Sequence, residues 1–179
     1  MALPSIKFVA PLVRAALATL AADMPAQVTA YNAQAENLLD IVAPASYWFG
    51  ANDLLSSAAF PQIEVAAVNG DLGNFTVGRA TADHDLRVNV ALWLQGATGD
   101  VPALYEQTVG LIRCVIECLV PVGAFGPGVQ LANDLGVSWR CDVIPADLTA
   151  AKPVDGRPIE NWLGSGLLQF RVEPLETFA

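Results

Sequence analysis

Between His84 and Gln95 the chain alternates without a slip, and few local structures can absorb that pattern. His84, Leu86, Val88, Val90, Leu92 and Leu94 fall on one side, with Asp85, Arg87, Asn89, Trp93 and Gln95 on the other. Successive side chains of an extended strand point to opposite faces, whereas a helix returns to one face about every 3.6 residues. The segment therefore predicts a strand with one face on a core and the other toward water or a neighbouring chain.

The rest of the chain has to supply that core. Ile6, Val9, Val13, Leu17, Leu20 and Met24 recur at helical spacing, so the first forty residues read as helix. Pro25 opens a second helical stretch through Tyr31 to Leu39, and Pro44 closes it. Tyr47, Trp48 and Phe49 follow in an irregular segment, where aromatic side chains serve as a plug beneath the sheet or as an interface anchor. Gln62–Val68 alternates and reads as a strand, Asn69-Gly70 as a turn, and Asp71–Asp83 as a loop. Gly96–Gly99 breaks the long strand, and Asp100 is placed to cap a helix with Pro102 in its first turn. Val101, Leu104, Tyr105, Thr108, Ile112, Val115, Ile116 and Leu119 form its apolar stripe, and it ends before Pro121.

Gly123–Gly128 reads as a turn-rich break. Leu135, Val137, Trp139, Cys141 and Val143 alternate with Ser138, Arg140 and Asp142 as another strand. Pro145–Gly166 reads as a long exposed loop, and Leu167–Glu173 as the closing strand. This order predicts an α+β fold: an antiparallel sheet of about four or more strands with helices packed on one face. Residues 1–179 read as a single domain, with 1–50 as its N-terminal helical segment.

Composition narrows the function. Apolar residues make up 54% and charged residues 15% of the chain, against an ordinary charged share of about 25%. Such a chain can bury enough surface to fold, and its sparse charge points to a surface partly covered by other subunits. The net charge is −9, with Lys7 and Lys152 the only lysines. A surface of that sign does not collect phosphates, which argues against a DNA-reading protein and fits an acidic wall that DNA passes without sticking. Phe8–Ala22 looks superficially like a signal peptide, but Pro11 and Arg14 interrupt it and its larger residues sit at helical spacing. Val109–Phe125, the most apolar stretch, contains Arg113 and Glu117, so no membrane span is expected.

The search for chemistry returns little. His84 is the sole histidine, at an apolar register position of a strand, where a packed role is expected over a catalytic one. Cys114 and Cys118 lie one helical turn apart and Cys141 further on; without a CxxC pair or further histidines they read as buried reduced thiols. Gly126-Pro127-Gly128 lacks the Lys-Ser/Thr of a phosphate loop, and the acid pairs Asp100/Glu106 and Asp142/Asp147 are generic. No catalytic, cofactor or metal site is expected.

One family does show a similar succession of elements. FPQIEVAAV, HDLRVNVALWLQG, DVPALYEQTVGLIRCVIECL and LLQFRVEPLE, taken as strand, strand, helix and strand, resemble phage tail terminator and neck proteins, also called tail-completion proteins. The resemblance implies a structural virion protein, assembled in the host cytoplasm, that forms a homo-oligomeric ring, a hexamer in that family. Such a ring sits at the head-proximal end of the tail tube, stops its growth and docks to the head–tail connector, while DNA passes through the lumen unbound. The loops Asn69–Asp83 and Pro145–Gly166 would make the axial contacts with tube and connector. Interface residues expected on this reading are Trp48, Phe49, Asp85, Arg87, Asn89 and Trp93. Alternatives are another neck or head-completion adaptor and, from a different class, a small ligand-binding domain or enzyme with a pocket under Trp48 and Trp93.

Overall fold

The computed structural model describes residues 9–37, 39–50, 60–68, 86–97, 101–121, 124–135, 137–150 and 161–174. The elements are α1 (Val9–Asn32), β1 (Ser46–Phe49), β2 (Gln62–Val68), β3 (Leu86–Ala97), α2 (Val101–Leu119), α3 (Pro127–Leu135), β4 (Val137–Ala150) and β5 (Asn161–Pro174). The five strands form one sheet in the order β1-β2-β3-β5-β4. The predicted α+β class holds, and β2, β3, β5 and β4 run antiparallel in turn; β1 adds a short parallel edge to β2.

Alternation in β3 sets the two faces. Val88, Val90, Leu92 and Leu94 are all buried, and the register places Val90 between Val65 of β2 and Leu168 of β5. Ile63, Phe170, Gly164 and Gly166 share that side. It is the side on which α2 lies: a Cβ on Gly164 would meet Thr108 Oγ1 at 2.9 Å, and one on Gly166 would meet Ile112 Cδ1 at 2.8 Å. Two glycines thus remove the side chains that would hold α2 away from β5, and the close approach lets Leu104, Leu111, Ile112 and Val115 bury on the sheet.

The helix α1 covers the β1–β2 end of the sheet, burying Leu12, Val13, Ala16, Leu20, Met24 and Val28 at intervals of about one turn. It runs unbroken through Pro25, where two helical stretches were expected. Proline costs a helix the bond to the carbonyl four residues back; here Pro25 and Ala21 are both exposed, so water can take that carbonyl. Beyond α1 the chain is tied back by Asn32, whose Nδ2 donates to Ile41 O and whose Oδ1 accepts from Ile41 N, both at 2.9 Å. Ile41 and Tyr31 then close on α2 at Gly110, where a Cβ would sit 2.9 Å from Ile41 Cγ2.

Four further expectations are corrected. The aromatic segment read as irregular, within the N-terminal segment 1–50 taken as helical, is strand β1. The long strand continues through Gly96 and Ala97, because both pair with β5. Part of the supposed turn after Gly123 is helix α3: Gly126 O accepts the first helical bond from Gln130 N, Pro127 occupies the first turn, and Leu135 ends the helix instead of starting a strand. Most consequentially, Pro145–Gly166 is not a long loop. β4 reaches Ala150 and β5 begins at Asn161, with a bulge where Pro145 and Ala146 oppose Gly166. Proline cannot donate to a ladder, but on an edge strand, at a bulge, no bond is forfeited. His84, Asn69–Asp83 and the expected cap Asp100 lie outside the described residues.

Candidate functional site

The opposite face of the sheet carries no described helix, and the register assembles its residues. Trp48 of β1 stands beside Glu64 of β2, Gln62 of β2 beside Trp93 of β3, and Asn89 of β3 beside Gln169 of β5. The two indoles therefore flank the polar pair of β2. Trp93 Nε1 donates to Glu64 Oε2 at 3.4 Å, Trp48 Nε1 to Ser46 Oγ at 3.2 Å, and Gln169 Nε2 to Asn89 Oδ1 at 3.2 Å. Glu64 is only 8% exposed, whereas Trp48 is 37% exposed. The aromatic surface of this face is thus outermost, with its carboxylate held beneath.

Of the expected interface residues, Trp48, Asn89 and Trp93 come together on this face, and Arg87 takes the matching register position between Val68 and Arg171. Asp85 lies outside the described residues. Phe49 does not join them. It follows Trp48 in a strand and so points to the helix side, 50% exposed.

There Phe49 belongs to a second site that periodicity did not reveal. Arg14, Leu17, Ala18 and Ala21 of α1, with Tyr47 and Phe49 of β1, line an open groove of about 440 Å³. The Arg14 guanidinium lies over the Phe49 ring, 5.4 Å from its centroid, in cation–π geometry. The alanines on the outer face of α1 leave the space, and among the described residues β1 is the edge of the sheet there. The signal present in the sequence was the run of alanines where polar residues normally face water.

Behind the groove sit the thiols. Cys114 and Cys118 are buried in α2, and burial pushes Cys114 from 9.0 to about 11 and Cys118 to about 12, the latter raised further by Asp23. Tyr47 is pushed from 10.0 to about 12, first by burial and then by Cys118, and its hydroxyl is buried without a hydrogen-bond partner among the described residues. All three groups hold their protons more tightly folded than unfolded. Their contribution to stability is complete below about pH 9 and is lost as pH rises toward about 12. Thiol-reactive probes at pH 8 are expected to label Cys114 and Cys118 far more slowly in the native protein than in urea. Equal rates in both states would show that this core is open.

Among the described residues no cluster of three or more His, Cys, Asp or Glu could hold a metal ion, and no helix is long and apolar enough to cross a membrane. The sequence matches no protein-family model and no curated protein.

Proposed function

We propose that this chain is a structural ring subunit of the tail-terminator kind, ending a phage tail tube and offering the connector a docking face. The observation that carries the reading is the asymmetry of the sheet. Among the described residues helices cover one face only, the other exposes Trp48 above a polar layer, and the two edges, β1 and β4, are unlike. Unlike edges permit a head-to-tail contact, and such a contact closes into a ring when its rotation divides a full turn. The sparse charge fits surface taken up by neighbouring copies, and the net charge of −9 fits a lumen that DNA crosses without binding. The succession of helix, sheet and crossing helix fits the terminator assignment, and copy number per virion separates it from another neck adaptor. Axial contacts with tube and connector then fall to Asn69–Asp83 and to the segment joining β4 to β5.

The mass in solution tests the ring. Over a concentration series the purified protein should form one closed species of several 18.8 kDa copies. A mass that stays at one copy throughout, together with normal tails when both axial segments are deleted, would remove the reading.

The placement of Trp48 and Trp93 on either side of Glu64 favours a second reading, a small-ligand site on the helix-free face. Screening ligands by thermal shift separates the two, because a ligand that binds only the folded state raises its melting temperature. A large reproducible shift accompanied by quenching of tryptophan fluorescence would favour this alternative.

A further inference from the structure

The outward stripe of α2 is unlike a solvated helix face. Tyr105 and Val109, one turn apart, are 49% and 43% exposed, and Pro102, Glu106 and Arg113 are exposed with them. Leu104, Thr108, Leu111 and Val115, on the opposite side of the helix, are buried toward the sheet. Val42, 58% exposed, follows Ile41, which packs on Gly110, so it stands at the same level of the helix. Of six large apolar side chains exposed among the described residues, three therefore converge on the middle of α2, where a helix in water carries polar groups. Two charges bracket them: Glu106 lies three residues before Val109 and Arg113 four residues after it.

We propose that this stripe is a two-fold contact, on which α2 of a second copy packs antiparallel with Val109 against Val109. Charge and spacing select that occupant. About an axis through Val109, antiparallel helices set position 113 of each level with position 105 of the other, one residue from Glu106. Arg113 then meets the Tyr105 ring and the Glu106 carboxylate of the second copy, and the same contact repeats across the axis. Half-buried Ile116 comes level with Pro102, and Glu117, also half-buried, falls past these pairings, level with Val101. A parallel arrangement would set Glu106 against Glu106 and Arg113 against Arg113, and would align the two helix dipoles instead of opposing them. A partner of one charge would answer only one of the two groups, whereas a second copy answers both. The net charge of −9 makes copies repel, so a contact between them needs paired charges of this kind. This contact lies on the outer side of the helix layer, away from the sheet edges β1 and β4, and does not depend on the ring.

Charge reversal tests it. Glu106→Arg and Arg113→Glu, both at exposed positions, should leave circular dichroism and thermal unfolding like those of the parent. Sedimentation should show the parent as an even number of 18.8 kDa copies. Each reversal alone sets like charges face to face on both sides of the axis, so it should weaken pairing about tenfold or more and halve the mass at concentrations where the parent is just paired. Mixed in equal amounts, the two reversals should recover the parent's mass as mixed pairs, because every contact again joins opposite charges; a chain carrying both should recover it alone. Recovery on mixing also guards against a folding defect, since a misfolded variant does not regain a partner. Reversals that keep the parent's mass, folded reversals that recover nothing on mixing, or a parent of one copy overturn the proposal. A parent found as a plain pair that the reversals split keeps this contact and removes the ring. A closed ring whose mass neither reversal moves keeps the ring and removes this contact.

Discussion

Replacing Phe170 with alanine is expected to cost about 3–5 kcal/mol of folding stability, the largest effect of any single truncation among the described residues. Phe170 is the bulkiest of the fully buried side chains among the described residues. It lies in β5, paired with Val88 of β3 on one side and Cys141 of β4 on the other, on the face that the helices cover. Alanine there loses the transfer free energy of the ring and leaves a cavity. Its lining belongs to strands fixed by long ladders, which cannot collapse inward. Urea denaturation should show the midpoint falling with the slope unchanged. A shift equivalent to less than about 1 kcal/mol would mean that the core under β5 is not packed as described.

The second large effect comes from adding atoms. Gly166→Val should destabilise by about 3 kcal/mol, the upper end for overpacking, because the added side chain must displace Ile112 and Thr108 in a close-packed core. The first carbon added would already stand 2.8 Å from Ile112 Cδ1 and 3.0 Å from Ile112 Cγ1. The strand has little freedom to retreat, since Gly166 pairs with Leu92 on one side and faces the β4 bulge on the other. Combining it with Ile112→Ala supplies the control. The double variant should be more stable than the sum of the two single losses by about 1 kcal/mol or more, the sign of a shared steric contact. Strict additivity would show that α2 does not cross β5 at this point.

These two residues also show where the sequence was legible. Phe170 sits in a segment of clean alternation, and its strand, its face and its burial all followed from period two. The same holds for β3, and for α2, whose limits at Val101 and Leu119 agree with the apolar stripe, the glycines before it and Pro121 after it. Gly166 was misread. In Asn161–Gly166 the glycines look like turn formers, yet their role is to admit a helix, a reason that exists only once α2 is in place. Pro145 was misread in the same way, since its harmlessness depends on β4 being an edge. Pro25 marks a boundary by local rules, but packing of Leu20, Met24 and Val28 on the sheet carries the helix past it. The shortest element, β1, has four residues and too little pattern to be seen.

For the candidate site the division is similar. Alternation in β3 put Asn89 and Trp93 on one face, while the partnership of Trp48 with that face needed the β1–β2 register. The groove of Arg14 and Phe49 joins residues far apart in the chain, and its one local trace is the run of alanines on the outer face of α1.

The claim that this chain ends a tube is tested most directly by adding the purified protein to polymerising tail tubes from the same virion and imaging their ends. The account predicts tubes that stop lengthening, each bearing a ring of this protein at its head-proximal end and nowhere along its wall. Tubes that continue to grow with bare ends, or protein scattered along their length, would contradict it.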